Sequence, residues 1–352
     1  MQKGLLTILA ITLLAGTSLL NTVQNSEQSS FLEDEIMKIY QNWQREHGKR
    51  YSQFENSHRF GIFKKNYAYI QEHQKRVEAG LETYEIGLNS FADLSVEEFE
   101  AKYLKLKSSS QREQRNQVYK KQGKQVPVEV DLRKDGVVSE VKNQGSCGSC
   151  WAFSAVAALE TALRQSGVQN VELSEQELVD CAVLDEFESE GCDGGEMYDG
   201  FAYASKYGIA IRSEYPYAAV DQQCQAKKTK TRYQFSGFVD VESLNPNAYV
   251  EAAAEHALSV GINASGINFQ LYRKGIYNAK CDSRKEAINH GVTNVGYAPE
   301  YYLIKNSWGI SWGEQGYIRF ARINDKEGQC GVQQEVNYPI YKLFENQSTI
   351  VE

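Results

Sequence analysis

Apolar side chains between residues 31 and 104 recur every three or four positions, as Phe31, Ile36, Ile39, Tyr40 and Trp43 in one run and as Phe60, Phe63, Tyr67 and Ile70 in another. A helix imposes that period on its buried face, so two helices are the minimal reading. Asp34 and Glu35 suit the positive start of the first helix, and Gly48 with Lys49 follows its end. The period then stops. From Lys105 to Lys124 the chain is polar (Ser108, Ser109, Ser110, Gln111, Gln114, Asn116, Gln117, Gln122, Gly123), which predicts an exposed linker and a place to be cut. A different pattern begins at Gln144-Gly145-Ser146-Cys147-Gly148-Ser149, where a glycine-broken turn leads into Cys150-Trp151-Ala152-Phe153-Ser154-Ala155-Val156-Ala157-Ala158-Leu159, an apolar run that predicts a helix.

Residues 1 to 20 carry Lys3, an apolar stretch from Leu5 to Leu14 and the small residues Ala15, Gly16, Thr17 and Ser18, the layout of a secretory signal. A spanning anchor would need about 20 apolar residues, and Thr12, Gly16 and Thr17 interrupt this one. The expectation is therefore a protein made in the secretory pathway, free of the membrane once the signal is removed. At 352 residues the chain is long enough for two or three folding units, and 41% hydrophobic with 24% charged residues is a globular composition. The formal charge of −8 divides as +1 over residues 1–21, +2 over 22–125 and −11 over 126–352. An acidic surface of this kind disfavours nucleic acid, which needs a basic face. All 7 cysteines fall in the last stretch, and an odd number leaves one thiol over.

Cys150 is the sequence's strongest chemical signal. At a helix start, exposed N–H groups and the macrodipole favour thiolate over thiol, whose unperturbed pKa is about 8.5. His290 lies 140 positions downstream and Asn306 156, the latter in Asn306-Ser307-Trp308-Gly309. An imidazole on the sulfur and an amide oxygen on the other ring nitrogen would complete an activated nucleophile. Six thiols besides Cys150 allow 15 pairings, which the residues alone leave open.

With the run around Cys150 and its His and Asn partners, the chain resembles the papain-like cysteine proteases, closest to their cathepsin L-like branch, over residues 31 to about 340. Glu55, Arg59, Phe63, Asn66 and Ile70 keep the spacing of the ERFNIN propeptide signature, with Gln74 where it ends in Asn, and Gly87, Asn89, Phe91 and Asp93 reproduce the neighbouring GNFD signature. The resemblance implies an α+β papain-like two-domain fold, a helical domain and a β-barrel-like domain, preceded by a helical inhibitory propeptide. It divides the chain into a signal at 1–20, propeptide and linker at 21–125, and a mature peptidase at 126–352. It implies a monomeric endopeptidase, with Cys150 as nucleophile, His290 as acid–base, Asn306 as orienting amide and Gln144 as oxyanion donor, with Trp308 shielding the His–Asn bond. Peptides and proteins would be its substrates, its own propeptide its inhibitor, and no metal or organic cofactor is implied.

The same resemblance pairs Cys147 with Cys192, Cys181 with Cys224 and Cys281 with Cys330. It lays substrate backbone along Gly194 and Gly195, and walls the pocket two residues before the scissile bond with Met197, Gly261, Ile288 and Glu335. An acid at Glu335 suggests acceptance of Arg there beside Phe and Leu. Leu132 stands for a usual Trp, Asn289 precedes His290 where Asp is frequent, and residues 340–352 trail the pattern. Asn263-Ala264-Ser265 and Asn346-Gln347-Ser348 are glycosylation sequons. A lysosome, another acidic vacuole or the exterior would be the destination, and acidification would trigger processing by weakening attraction between the +2 and −11 segments. The alternative is a papain-fold binding or inhibitory module without catalysis.

Overall fold

A computed structural model describes residues 32–107, 117–183 and 186–342. The signal segment, part of the linker, and the tail with its sequon at Asn346 lie outside the described residues. Its elements in chain order are α1 (residues 32–46), α2 (Gln53–Glu78), β1 (Tyr84–Ile86), α3 (Val96–Tyr103), β2 (Val118–Tyr119), β3 (Val130–Asp131), α4 (Cys150–Gln165), α5 (Glu175–Cys181), α6 (Met197–Tyr207), β4 (Ile209–Ala210) and β5 (Arg232–Tyr233). Then follow β6 (Gly237–Val241), α7 (Pro246–Ala253), β7 (Leu258–Ile262), α8 (Ile267–Gln270), β8 (Tyr272–Tyr277), β9 (His290–Tyr297), β10 (Tyr301–Lys305), β11 (Tyr317–Ala321) and β12 (Val336–Ile340). The architecture is α+β.

Contacts divide the chain into two compact units at Tyr69–Ile70, within α2. In the first unit the heptad-like aromatic positions meet: Tyr40 packs on Trp43, Phe60 and Phe63 at 5.8, 5.3 and 5.0 Å between ring centres. Arg59 lies 3.7 Å from Glu55 one turn back. The boundary is not where the linker falls in sequence. Residues 70–107 belong to the second unit because their partners are there: β1 pairs antiparallel with β8, Tyr84 opposite Gly275, and Asn89 donates to the Gln270 carbonyl at 2.8 Å.

In the second unit, α4 is apolar on nearly every face, and 13 of its 16 residues are buried. A helix of that composition must be covered all round. On one side lie α5 and α6, where Gly200 lets α6 approach: a Cβ there would stand 2.8 Å from the Ala155 methyl. On the other side lies the sheet, with the Ser154 hydroxyl donating to the Val292 carbonyl at 2.6 Å. Strand order is β1-β8-β11-β10-β9-β7-β12-β6-β2, with β3 also on β9. Leu132 is buried beside Val295, Leu303 and Tyr317, filling the position usual for Trp with a smaller apolar group.

The helical stretch holds a third helix beyond the minimal two, α3, opened by a capping box in which Ser95 accepts from the Glu98 N–H at 3.2 Å and Glu98 accepts from the Ser95 N–H at 2.9 Å. One expectation changes. The linker is not uniformly exposed. Leu106 is 7% exposed, and Val118–Tyr119 form a strand parallel to Asp240–Val241. Local polarity could not reveal this, because both segments take their hydrogen bonds from residues far away in the chain, Gly195, Asn289 and β6.

Candidate active site

Cys150 is the first residue of α4, fully buried and the only free cysteine among the described residues. Disulfides join Cys147 to Cys192, Cys181 to Cys224 and Cys281 to Cys330. Cys147–Cys192 ties the turn before α4 to the glycine strip at Gly194, which draws these two loops together. Backbone N–H groups of Gly291, Lys105, Trp151 and Cys150 itself point at the sulfur. Burial outweighs them and pushes the thiol above its ordinary range.

His290 opens β9 and is equally buried. Its neighbour Gly291 helps fix its place: a Cβ on Gly291 would stand 3.3 Å from the Cys150 carbonyl oxygen, a tight contact, so glycine lets β9 run close to the start of α4 without displacing it. His290 Nε2 donates to Asn306 Oδ1 at 2.9 Å, and the same oxygen accepts from the Ser307 N–H at 2.8 Å. The backbone donor decides which amide atom of Asn306 is oxygen, and the oxygen in turn puts the ring proton on Nε2. Nδ1 is then the proton-accepting nitrogen, and it is buried without a hydrogen-bond partner among the described residues. Burial lowers His290 to about 4, against a smaller upward pull from Asn306. Trp308 stacks on the ring with centres 4.6 Å apart and planes at 25°, which keeps water from the His–Asn bond. In this closed form the geometry therefore favours thiol and neutral imidazole.

Gln144 is buried in the turn before α4. Its Nε2 donates to the Cys147 carbonyl at 2.9 Å, and its Oε1 accepts from the Ser307 hydroxyl at 2.6 Å, so its amide nitrogen faces the Cys147–Cys150 turn. Asn289 is neutral and occupied: its Oδ1 accepts from Ala264 N–H at 2.9 Å and its Nδ2 donates to Ser265 Oγ at 2.8 Å. Asn263 is buried and its Nδ2 donates to the Asp282 carbonyl at 3.0 Å, so the first sequon lies inside the folded chain.

Residues 104–107 thread the remaining predicted positions. Lys107 N–H donates to the Gly195 carbonyl at 3.0 Å and Leu106 N–H to the Asn289 carbonyl at 3.0 Å. Gly194 has φ 117°, and a Cβ there would meet the Lys105 carbonyl oxygen at 2.1 Å. Gly194 and Gly195 thus form a backbone cradle already filled by the chain's own segment. Around Gly261 the side chains of Ile288, Glu335 and Leu106 converge, at 2.7, 3.2 and 3.2 Å from where its Cβ would be. Met197, Glu335 and Leu106 line one cleft of about 140 Å³. Glu335 therefore faces this cleft, with Lys285 Nζ 4.0 Å from its carboxylate. Above His290, Phe91, Phe99 and Tyr103 meet Trp308 edge-on at 5.3, 5.2 and 6.3 Å.

Sequence reasoning missed two features. Leu106 and Lys105 reach the site from a stretch read as linker, and nothing in its composition marks them. Behind the site, Lys142 Nζ lies 2.6 Å from both Glu160 and Glu175, and Lys305 donates to the Ser139 carbonyl at 2.7 Å. Burial lowers Lys305 to about 8. These buried charges pin the end of β10, immediately before Asn306; their only sequence signal is Glu160 inside an apolar helix.

A buried thiol at a helix start, an imidazole with its tautomer fixed and a peptide-lined cleft occupied by the chain itself define a cysteine protease held in latent form. Residues 126–340 match the papain family of cysteine proteases, and residues 40–99 match the cathepsin propeptide inhibitor domain. The chain belongs to that family and is a papain-like, cathepsin L-like cysteine endopeptidase made as a zymogen, with its own propeptide as intramolecular inhibitor. It is 37% identical over 354 residues to a protein named thiol protease SEN102 of Hemerocallis sp., covering 97% of this chain and 96% of that one. It is 36% identical over 314 residues to a cathepsin L-like proteinase of Fasciola hepatica, covering 87% and 94%. Among solved structures it resembles a recombinant stem bromelain precursor (TM-score 0.80, 32% identity, 88% of this chain and 99% of that). It also resembles digestive procathepsin L 3 of Tenebrio molitor larval midgut (TM-score 0.78, 36% identity, 87% and 99%).

Proposed function

We propose that Cys150 attacks the peptide carbonyl, that His290 takes the thiol proton on Nδ1 and passes it to the leaving amine, and that water hydrolyses the thioester. Asn306 holds the ring, and Gln144 with the Cys150 N–H receives the oxyanion. The supporting observation is the His290–Asn306 bond, which leaves Nδ1 free to accept in a ring placed against α4 by Gly291. The enzyme enters the secretory pathway through residues 1–20, carries its propeptide and linker at 21–125, and acts as a monomeric mature peptidase from residue 126 in a lysosome, another acidic vacuole or outside the cell.

Acid opens the zymogen in this reading. His290 is held at about 4, below its ordinary 6.5, so it gains a proton when the covering segment leaves. The closed form's advantage from this group is complete above pH 6.5 and is lost as pH falls from there towards 4. Glu251, held below its ordinary 4.5 chiefly by the Gln122 N–H, gives stabilisation that is present above 4.5 and lost below it. The Tyr119 hydroxyl also reaches that carboxylate, while Lys124 and His256 pair with the neighbouring Glu255. Self-processing, followed on gels, is expected at least about tenfold faster at pH 4.5 than at pH 7, one pK-unit change being about tenfold in an equilibrium. Equal rates at the two pH values would remove this account.

For substrate choice, Glu335 at the cleft supports acceptance of Arg beside Phe and Leu in the subsite filled by Leu106. Glu335→Ala is expected to cut kcat/KM for Arg-containing peptides by about tenfold relative to Leu-containing ones, the scale of a half-buried ion pair. An unchanged ratio would show that the carboxylate does not read the substrate.

A further inference from the structure

Residues 117–124 are held by a set of contacts separate from those that hold Leu106. The Asp240 N–H donates to the Gln117 carbonyl at 3.1 Å and the Glu242 N–H to the Tyr119 carbonyl at 2.9 Å, so the segment extends the sheet past β6. Beyond it, the N–H groups of Gln122 and Gly123 donate to the two carboxylate oxygens of Glu251 at 2.7 and 2.9 Å. Gly123 has φ 72°, a left-handed turn that aims successive N–H groups at one anion. The Tyr119 hydroxyl reaches Glu251 at 3.3 Å, and Lys124 Nζ lies 2.8 Å from Glu255. His256 stacks on Tyr338 with ring centres 4.2 Å apart, and Tyr119 meets Tyr338 edge-on at 6.4 Å.

Two features single this place out. Glu251 is only 5% exposed, yet its described hydrogen bonds all come from residues 119–124. Most of the bonds go to backbone, the mode in which a sheet edge recognises an extended peptide with little regard to its sequence, and a single lysine sits opposite Glu255. An enzyme stripped of this segment leaves that carboxylate facing water, a charged acceptor open to the N–H groups of an extended peptide.

We propose that the β6 edge and the Glu251 carboxylate form a second peptide-binding site beside the cleft, which takes an extended, lysine-bearing segment through its backbone. Its occupant in the zymogen is residues 117–124, and it keeps them after the chain is cut on their N-terminal side. Maturation is then a two-step release, in which clearing the cleft does not by itself clear this edge.

The test uses the full-length zymogen after its own maturation, with mass spectrometry to show that residues 117–124 have been cut off and washed away. Peptidase activity is measured first, so that failure of the protease reading is seen separately. The thiol is then blocked with iodoacetate, and a fluorescein-labelled peptide of residues 117–124 is titrated at pH 7 with anisotropy as the signal. Saturable one-to-one binding is expected, weakened about tenfold or more in Glu251→Gln, the scale of losing charge-assisted bonds. A peptide carrying Gln122→Pro, which deletes one N–H, should lose about as much on the unaltered enzyme, whatever the folding of the Glu251 variant. A peptide of residues 104–107 in excess should not displace the probe. Absence of saturable binding, equal binding of both peptides, or displacement by the 104–107 peptide would each overturn the proposal.

Discussion

Cys150→Ala is expected to lower peptide hydrolysis by on the order of 10⁴-fold or more while leaving a folded chain that does not process itself. The thiol is fully buried, but it is small and outside any disulfide, so its removal costs little packing. No other free cysteine among the described residues can replace it. His290→Ala should lose a similar factor, and the double variant little more, because nucleophile and base act as one unit. Gln144→Ala should lose about 10²- to 10³-fold, the usual cost of one oxyanion donor. Steady-state kcat/KM on a fluorogenic peptide, with circular dichroism to verify folding, checks the series. Hydrolysis surviving in Cys150→Ala would favour a binding module carrying a contaminating activity.

Phe99→Ala should abolish latency at neutral pH. Phe99 is fully buried on α3 and lies 5.3 Å from Phe91, 5.7 Å from Tyr103 and 5.2 Å from Trp308, ring centre to ring centre. Deleting a buried aromatic ring costs roughly 3–5 kcal/mol, and edge-on ring pairs add to that loss. Because Trp308 belongs to the peptidase and Phe99 to the inhibitory segment, the share of the loss at Trp308 falls on docking, and closure weakened by at least roughly 100-fold, up to several thousand-fold if the whole energy is felt there, follows. The variant should process itself at pH 7 within the time that the unaltered zymogen stays intact, as read on gels and by active-site titration. If it remains as latent as the parent chain, the aromatic cap is not what closes the site.

The parts of this design that were legible in sequence are those fixed by local pattern. The turn Gln144–Ser149 followed by an apolar run places Cys150 at a helix start, and the aromatic period marks α1 and α2, because each depends on residues a few positions apart. β1 is three residues long, and its identity rests on β8, almost two hundred positions away. Leu106 and Val118 look like linker residues for the same reason: the groups that order them, Gly195, Asn289 and β6, are distant in the chain. Asn263 is instructive in the opposite sense, since its sequon is a local signal that gives no hint of the residue's burial or of its bond to the Asp282 carbonyl. Side-chain direction was also hidden, as with Glu335, whose place in the cleft depends on Gly261 having no Cβ.

Burial links latency to chemistry. With residues 91–107 in place, Cys150 is pushed up and His290 is lowered to about 4, so the pair stays neutral at any physiological pH. When that segment leaves, water returns, the imidazole can hold a proton, and the helix start favours the thiolate. The most direct measurement is the rate at which iodoacetamide alkylates Cys150 in the intact zymogen and in the processed enzyme at pH 6. The intact chain is expected to react at least about 100-fold more slowly, since only thiolate attacks; equal rates in the two forms would contradict the account.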